Sequence, residues 1–333
     1  MCRPTVSVII PTYNSGRFVG HAIESVLAQS FDDLELIVVD DGSTDGTVDR
    51  VRSYGDEVTY VTRPNGGPGA ARNHGARLAS GEWLAFLDAD DFWFPNKLAG
   101  QLALARRAPD LDVIVGNYHV VDEGGRLMHE GFGDHPLVGL DSNGADGEGV
   151  VFGPESRERY VAHRFGILST TLVRADLFRR VGGFAERLTL AEDIHLMTRL
   201  IASARSFGAV RVPVAAYRRR RGSMSHGQDE HRHRVTATSL SDLVSERSLP
   251  RAMAGAIRWQ LAETYLDLAV LLARQGRRAS ATVAATRALI ARPGWRALRM
   301  IVSVNRPVRE EPSRPSIPDA LDPVELFRFG AIA

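Results

Sequence analysis

From Thr5 to Val121 the chain repeats one pattern: a short apolar run, a polar cluster, then a stretch with apolar residues at helical spacing. The apolar runs are TVSVII, LELIVVD, VTYVT, EWLAFLD and LDVIVGNYHVV. Between them, GRFVGHAIESVLAQS places Phe18, Val19, Ile23, Val26 and Leu27 on one helical face. Ser43-Thr44 opens a second helix through Val51, and GAARNHGARLA and NKLAGQLALARR supply two more. Strands that are apolar throughout have no face to give to water. Alternating with helices, they predict a parallel sheet covered on both sides. In such a sheet, ligands bind beyond the carboxyl ends of the strands. The polar clusters fall there: Pro11-Thr12-Tyr13-Asn14, Asp40-Asp41-Gly42-Ser43, Arg63-Pro64-Asn65-Gly66-Gly67 and Asp88-Ala89-Asp90-Asp91.

Past Val121 the texture changes. Residues from Asp122 to about Arg164 are rich in Gly, Asp and His without periodicity and read as long loops with short strands. Order returns with ILSTTLV, the helix RADLFRRV, the turn Gly182-Gly183, the helix AEDIHLMTRLIASA and the strand VRVPVAAYRRR. Residues 235–304 read as helical, and 305–333 as a Pro-rich tail. Within the helical region, LDLAVLLARQGRRASATVAATRALIARPGW has the small residues and turn of a helical hairpin, resembling one tetratricopeptide unit. Arginine dominates this region, and its apolar positions need a surface to cover them. The helices are expected to dock on the preceding α/β part or on a second subunit.

Composition removes several classes. The chain has 333 residues with 41 basic and 40 acidic side chains, so no global field draws it to nucleic acid. Lys97 is the one lysine. Cys2 is the one cysteine, which excludes an internal disulfide framework and a Cys-rich zinc module. No stretch approaches the ~20 apolar residues of a membrane span, and Val6–Ile10 is too short for a signal-peptide core. The expectation is a cytoplasmic protein, with peripheral contact at the inner face of the membrane left open.

The acidic cluster after the fourth apolar run is the strongest chemical signal. Three carboxylates in four residues at a strand end repel one another and call for a cation, and their hard oxygen donors suit Mn²⁺ or Mg²⁺. A single aspartate there would be explained as a helix cap, with a helix expected from Phe94. In Asp40-Asp41, one carboxylate facing the cleft suits a nucleobase N–H, and the other suits a cap. Asn65-Gly66-Gly67-Pro68-Gly69 opens a helix and so offers amides to an anion. It has Arg72 where a dinucleotide fingerprint needs glycine, and it lacks the Lys-Ser/Thr of a P-loop. Glu192-Asp193 opens a later helix, where it is either a base pair of carboxylates or ordinary N-terminal decoration. Trp93 suits stacking on a sugar; Trp83 suits the core.

Taken in order, VSVIIPTYN, VVDDGSTDGT, GPGAARNHG, FLDADD and GGFAERLTLAEDIHLMTRL closely resemble the inverting glycosyltransferases of family 2, over about residues 5–225. The resemblance implies the GT-A fold, an α/β architecture with a mainly parallel central sheet flanked by helices. It implies a catalytic unit over 1–230, with a nucleotide-sugar half at 1–121 and an acceptor half at 122–230. Pro11, Thr12, Tyr13, Asn14 and Asp41 would then surround the base, and Arg72 would lie near the nucleotide or diphosphate. Asp88 would contact the ribose, with Ala89 beside it. Asp90 would ligate the metal, His226 would be a third metal contact, and Asp91 would only cap the next helix. Asp193 would be the general base and Glu192 a positioning group. Basic side chains of the Arg218–Arg221 run would reach the diphosphate.

The implied reaction is metal-dependent transfer of a sugar, with inversion, from a nucleoside diphosphate donor to an acceptor hydroxyl. A UDP-sugar is the leading donor, and a cell-surface polysaccharide or lipid-linked glycan the acceptor. The processive Gln-x-x-Arg-Trp signature is absent after Asp193, so one sugar per encounter is expected. A nucleotidyltransferase would carry a Gly-rich loop with Arg and Lys after its first strand, where this chain has PTYNSGRF. A noncatalytic carbohydrate-binding or scaffold protein would have no need to keep Asp90 and Asp193. Peripheral membrane contact and a homodimer are the two expected uses of the C-terminal helices.

Overall fold

The computed structural model describes residues 4–132, 149–163, 166–220, 229–246 and 249–305. The first half alternates as expected: β1 (Val6–Thr12), α1 (Val19–Leu27), β2 (Leu34–Asp40), α2 (Thr47–Arg52), β3 (Thr59–Thr62), α3 (Pro68–Leu78) and β4 (Trp83–Phe86). Then come β5 (Phe92–Trp93), α4 (Lys97–Arg107) and β6 (Leu111–Val121). The second half holds β7 (Leu127–Glu130), β8 (Gly149–Phe152), α5 (Arg157–His163), β9 (Leu172–Arg174), α6 (Ala175–Arg180), α7 (Glu192–Ser203) and β10 (Ser206–Arg218). Four helices follow: α8 (Asp229–Ser245), α9 (Arg251–Arg274), α10 (Arg278–Ala291) and α11 (Trp295–Asn305). His226 and, apart from Asn305, the Pro-rich tail lie outside the described residues.

The strands form one sheet in the order β3-β2-β1-β4-β9-β6-β10-β5, with β7 on β6 and β8 on β10. It is parallel through β3, β2, β1 and β4, and again between β6 and β10. β9 is inserted antiparallel between β4 and β6, and β5, β7 and β8 are also antiparallel to their partners. Along β1 and β2, successive residues enter two different cores. Ile9, Ile37 and Val39 join one; Val8, Ile10, Leu36 and Val38 join the other. A period of two with both faces buried is why these strands are apolar throughout. Close helix packing on the first face depends on Gly75 in α3, where an added Cβ would lie 2.5 Å from the Ile9 Cγ2 atom.

That same core continues through Leu196, Leu200 and Ile201 of α7 into Ala237, Leu240 and Leu243 of α8 and Met253, Ile257 and Leu261 of α9. The C-terminal helices therefore pack directly on the helices that cover the sheet. The hairpin of α9 and α10 turns at Gly276, with φ +74°, and buries Leu268, Ala269, Ala281 and Ala288 as its small-residue spacing predicted.

Local expectations were displaced where side chains found stronger partners. α2 begins at Thr47, past Ser43-Thr44, because the Ser43 N–H donates to Asp40 and the Thr44 N–H to Asn14. The helix expected from Phe94 begins at Lys97, since Phe92 and Trp93 pair with Ala216 and Ala215 of β10. Trp93 is no sugar platform. It is 3 % exposed, its indole donates to the Ser169 carbonyl at 2.7 Å, and Lys97 Nζ lies 3.9 Å from its ring centroid.

Lys97 is fully buried, and its Nζ donates to Gln101 Oε1 at 2.9 Å. Burial holds its ammonium well below the usual lysine range. Between that lowered value and the ordinary one, the unfolded chain binds a proton that the folded chain does not. Stability accordingly rises with pH across the window. Lys97→Met is expected to raise the thermal midpoint at neutral pH and to flatten the alkaline rise, as calorimetry over a pH series would register. A lower midpoint with the same slope would mean that the Gln101 and Trp93 contacts outweigh the burial cost.

Candidate active site

The carboxyl ends of β1, β2 and β4 meet at one edge of the sheet, with β1 between the other two. Two loops there are knitted into a floor. Asp41 N–H donates to the Thr12 carbonyl at 2.9 Å, Asn14 N–H to Ser43 Oγ at 2.9 Å, and Thr44 N–H to Asn14 Oδ1 at 2.8 Å. Asn14 adopts φ +48°, a left-handed conformation that asparagine tolerates better than most residues. The floor leaves Tyr13 half exposed and Pro11 partly buried. Thr12 is buried, and its Oγ1 has no hydrogen-bond partner among the described residues.

The two aspartates after β2 divide the work. Asp40 is structural, accepting the Ser43 N–H at 2.9 Å and the Tyr60 hydroxyl at 2.9 Å. Asp41, also buried, accepts the N–H groups of Gly66 at 3.0 Å and Gly67 at 2.7 Å, with Arg63 Nη1 3.4 Å away. The anion held by the glycine-rich loop is thus the protein's own Asp41, which changes the phosphate-loop reading of that segment.

The cluster after β4 splits in the same way. Asp88 is 36 % exposed and faces Arg72, whose Nη2 donates to Asp88 Oδ1 at 2.6 Å. Asp90 accepts from Arg220 Nε at 2.6 Å, and Ala89 between them is buried. Asp91 is not a helix cap, and it does not join the other two. It is 1 % exposed and accepts the Ser169 hydroxyl at 2.6 Å and the Arg218 N–H at 2.9 Å, bracing β4 against β10. Burial, then the charges of Asp90 and Asp88, push its carboxyl well above the usual range. Burial and the Asp88 charge also raise Asp90, against the pull of Arg220.

Arg72, on the first turns of α3, completes the site. It is 5 % exposed, and its Nη1 donates to Glu192 Oε1 at 2.7 Å while Nη2 holds Asp88. One guanidinium therefore ties the end of β4 to the start of α7. Burial raises the Glu192 carboxyl, Arg72 opposes the rise and the Asp193 charge adds to it. Asp193 stands beside Glu192, partly buried, with Oδ1 accepting the Ile194 N–H at 2.7 Å and no ion pair among the described residues. The turn before α7 docks on α3 through Asn73, whose side chain donates to the Phe184 carbonyl and accepts the Phe184 N–H, both at 2.9 Å. Gly183, with φ +66°, is required there because a Cβ would come within 2.6 Å of Asn73 Oδ1.

Asp88, Asp90, Glu192, Asp193 and Arg72 are thus brought together, with Thr12, Tyr13, Asn14 and Asp41 along the neighbouring edge. Sequence reasoning missed Ser169, which has no motif around it, and gave Arg63 only as a member of a strand-end cluster, without a role of its own. Arg220 was legible only as part of an arginine run. Asp88 and Asp90 present oxygen donors alone, the set a hard divalent cation takes. The mutual repulsion that raises Asp90 is a cost a bound cation would relieve, so the residues fit such an ion. Among the described residues, no third acidic, histidine or cysteine side chain joins them.

Arg72→Gln would leave Glu192 and Asp88 without their countercharge. The expected loss is about 3 kcal/mol, the low end for breaking a buried pair, because Asp88 is partly exposed. Losing Arg72 raises the folded-state pKa of Glu192 further, so the folded chain holds a proton that the unfolded chain has released. Stability of the variant then falls as pH rises, and its deficit should be largest at neutral pH and shrink on acidification. Urea unfolding across a pH series reads this directly; a pH-independent deficit would exclude Glu192 as the source.

Residues 7–180 match the family model described as glycosyl transferase family 2. An uncharacterized glycosyltransferase of Rickettsia typhi is 33 % identical over 200 residues, which cover 58 % of this chain and 57 % of the relative. WfgD of Escherichia coli, a UDP-Glc:alpha-D-GlcNAc-diphosphoundecaprenol beta-1,3-glucosyltransferase, is 36 % identical over 119 residues, covering 35 % of this chain and 47 % of WfgD. The match thus spans little more than half of the first relative's length. Among solved structures, S. aureus TarS in complex with UDP-GlcNAc superposes with a TM-score of 0.62 at 20 % identity, over 90 % of each chain. The Pyrobaculum calidifontis mannosyltransferase PcManGT, in complex with GDP-Man and Mn²⁺, gives 0.57 at 19 % identity, over 91 % of this chain and 80 % of its own. At such identities the likeness establishes the fold, and the family match covers more than half the sequence: the chain belongs to glycosyl transferase family 2 and has the GT-A fold.

Proposed function

We propose that the chain transfers one sugar per encounter, with inversion, from a nucleoside diphosphate donor to an acceptor hydroxyl on a polysaccharide or lipid-linked glycan. The observation that carries this reading is the Arg72 bridge, which sets Asp88-Asp90 and Glu192-Asp193 in one cleft. A UDP-sugar is the first donor to test, because TarS is solved with UDP-GlcNAc and WfgD is named for a UDP-Glc donor. The base would lie on the floor at Pro11–Asn14 and Asp41. Exposed Tyr13 offers a stacking face, the orphaned Thr12 hydroxyl a hydrogen bond, and the carboxylate of Asp41 its remaining lone pairs. Asp88 would accept from the ribose hydroxyls.

Asp193 takes the proton of the acceptor hydroxyl as that oxygen bonds to the anomeric carbon. The bond from that carbon to the diphosphate oxygen breaks, and its electron pair leaves with the nucleoside diphosphate. A single displacement of this kind inverts the centre. Asp90, with Asp88 beside it, would hold a divalent cation, which would supply positive charge to offset that of the leaving group, so that no acid need protonate it. The Mn²⁺ in the PcManGT complex supports this assignment. Arg220, which donates to Asp90 at 2.6 Å, would have its guanidinium within reach of a diphosphate. Glu192 is committed to Arg72, which leaves Asp193 as the base.

Asp193→Asn keeps the shape but accepts no proton. Donor affinity should persist while kcat falls by a factor on the order of 10² to 10⁴. A larger loss from Glu192→Gln than from Asp193→Asn would reverse the assignment of the pair. Asp90→Ala should abolish transfer with the fold intact, and chelation of the wild type should do the same. Full activity in excess EDTA would remove the metal from the scheme.

A further inference from the structure

The last two described helices carry a surface that the transfer reaction does not use. From Leu268 to Asn305 the sequence has seven arginines and neither aspartate nor glutamate. α11 is amphipathic in an unusual sense, since both of its faces hold apolar residues. Its inner face, Ala297, Met300, Ile301 and Val304, packs on α9 and α10. Its outer face presents Trp295, Leu298 and Val302 at positions i, i+3 and i+7, which are 72 %, 42 % and 55 % exposed. Ile290, near the end of α10, is 76 % exposed just upstream. Arg292, Arg296 and Arg299 are exposed among these apolar side chains, Arg296 also pairing at 2.8 Å with Glu263 of α9.

A helix face that combines Trp and aliphatic side chains with flanking arginines, and no acids on the helix itself, suits the boundary of an anionic bilayer. The apolar groups enter the acyl boundary while the guanidiniums stay with the phosphates. We propose that the outer face of α10 and α11 docks this protein on an anionic lipid surface. A second copy fits less well. A two-fold contact through the same patch would set arginine against arginine, because the nearby carboxylates Glu263 and Asp267 lie on α9 and Glu263 is already paired with Arg296. Attachment is peripheral, because no described helix is long and apolar enough to cross a membrane. The α9–α10 hairpin buries its own core and is continuous with the sheet's covering helices, so the surface is held firmly relative to the catalytic cleft.

The inference stands apart from the identity of donor and acceptor, and its test needs neither. The full chain is sedimented with vesicles of phosphatidylglycerol and phosphatidylcholine, against phosphatidylcholine alone. Binding should require the anionic lipid and weaken as salt is raised. Each arginine removed should weaken binding roughly fivefold, so R292Q/R296Q/R299Q together should lose a factor on the order of 10². Vesicles should shift the tryptophan emission to the blue in the wild type and not in Trp295→Ala, while Trp295→Phe should retain binding. All these side chains are exposed, so the variants should keep the wild-type thermal midpoint. Equal binding to neutral vesicles would overturn the proposal. So would binding unchanged in both the triple variant and Trp295→Ala, or a solution dimer that Trp295→Ala dissociates.

Discussion

A single guanidinium makes this site possible. Asp88 and Glu192 come from elements far apart in the chain, and bringing two carboxylates into a partly closed cleft without a countercharge would cost several kcal/mol. Arg72 removes that obstacle by donating to each with a different nitrogen, a use of the planar fork that lysine cannot copy. Its position is fixed in turn by its neighbours. The guanidinium carbon lies 5.3 Å from the Phe184 ring centroid, and the next residue, Asn73, holds the Phe184 backbone in both directions. Two consecutive residues of α3 thus set the charge balance of the cleft and close the Gly182-Gly183 turn over it.

The remaining acidic residues show how such a site avoids repelling itself. Of the five aspartates in the two strand-end clusters, Asp40 and Asp91 are engaged by hydroxyls and amides of neighbouring elements and serve the scaffold. Asp41 sits in a cradle of two glycine amides. That leaves Asp88 and Asp90 with arginine partners, contacts that a ligand can exchange. Motifs that look uniform in sequence are therefore divided in space between groups locked by backbone and hydroxyl donors and groups paired with arginine side chains.

Much of this was legible in the sequence because the strands at its centre are buried on both faces. Continuous apolar runs gave β1, β2, β4 and β6 within a residue or two, and the rule that ligands gather at carboxyl ends placed the clusters. What failed were predictions that depended on a side chain's partner. Asp91 reads as a cap until Ser169, 78 residues away in sequence, is found to hold it. Trp93 reads as a sugar platform until Lys97 is seen beneath it. α5 was not foreseen, because its seven residues lie in a stretch without helical periodicity. The antiparallel insertion of β9 leaves no local trace, since three residues cannot show a pattern.

The C-terminal helices belong to the same physical unit as the chemistry. Ala191, the residue before Glu192-Asp193, has φ +59°, a conformation that strains any residue with a Cβ by about 1 kcal/mol or more. Its carbonyl accepts the His195 N–H at 3.1 Å from within α7 and the buried Ser239 hydroxyl at 3.1 Å from α8. The strained turn aims the first residues of α7 at Arg72 and is held in place from the helical region. Arg187, in the preceding loop, pairs with Asp242 one turn further along α8, a second tie of the same kind. A helix that anchors the backbone beside Asp193, the proposed base, and leads through α9 to an arginine-lined outer surface, fixes the distance between that surface and the cleft. An acceptor presented from the surface would then meet Asp193 at a height set by the fold.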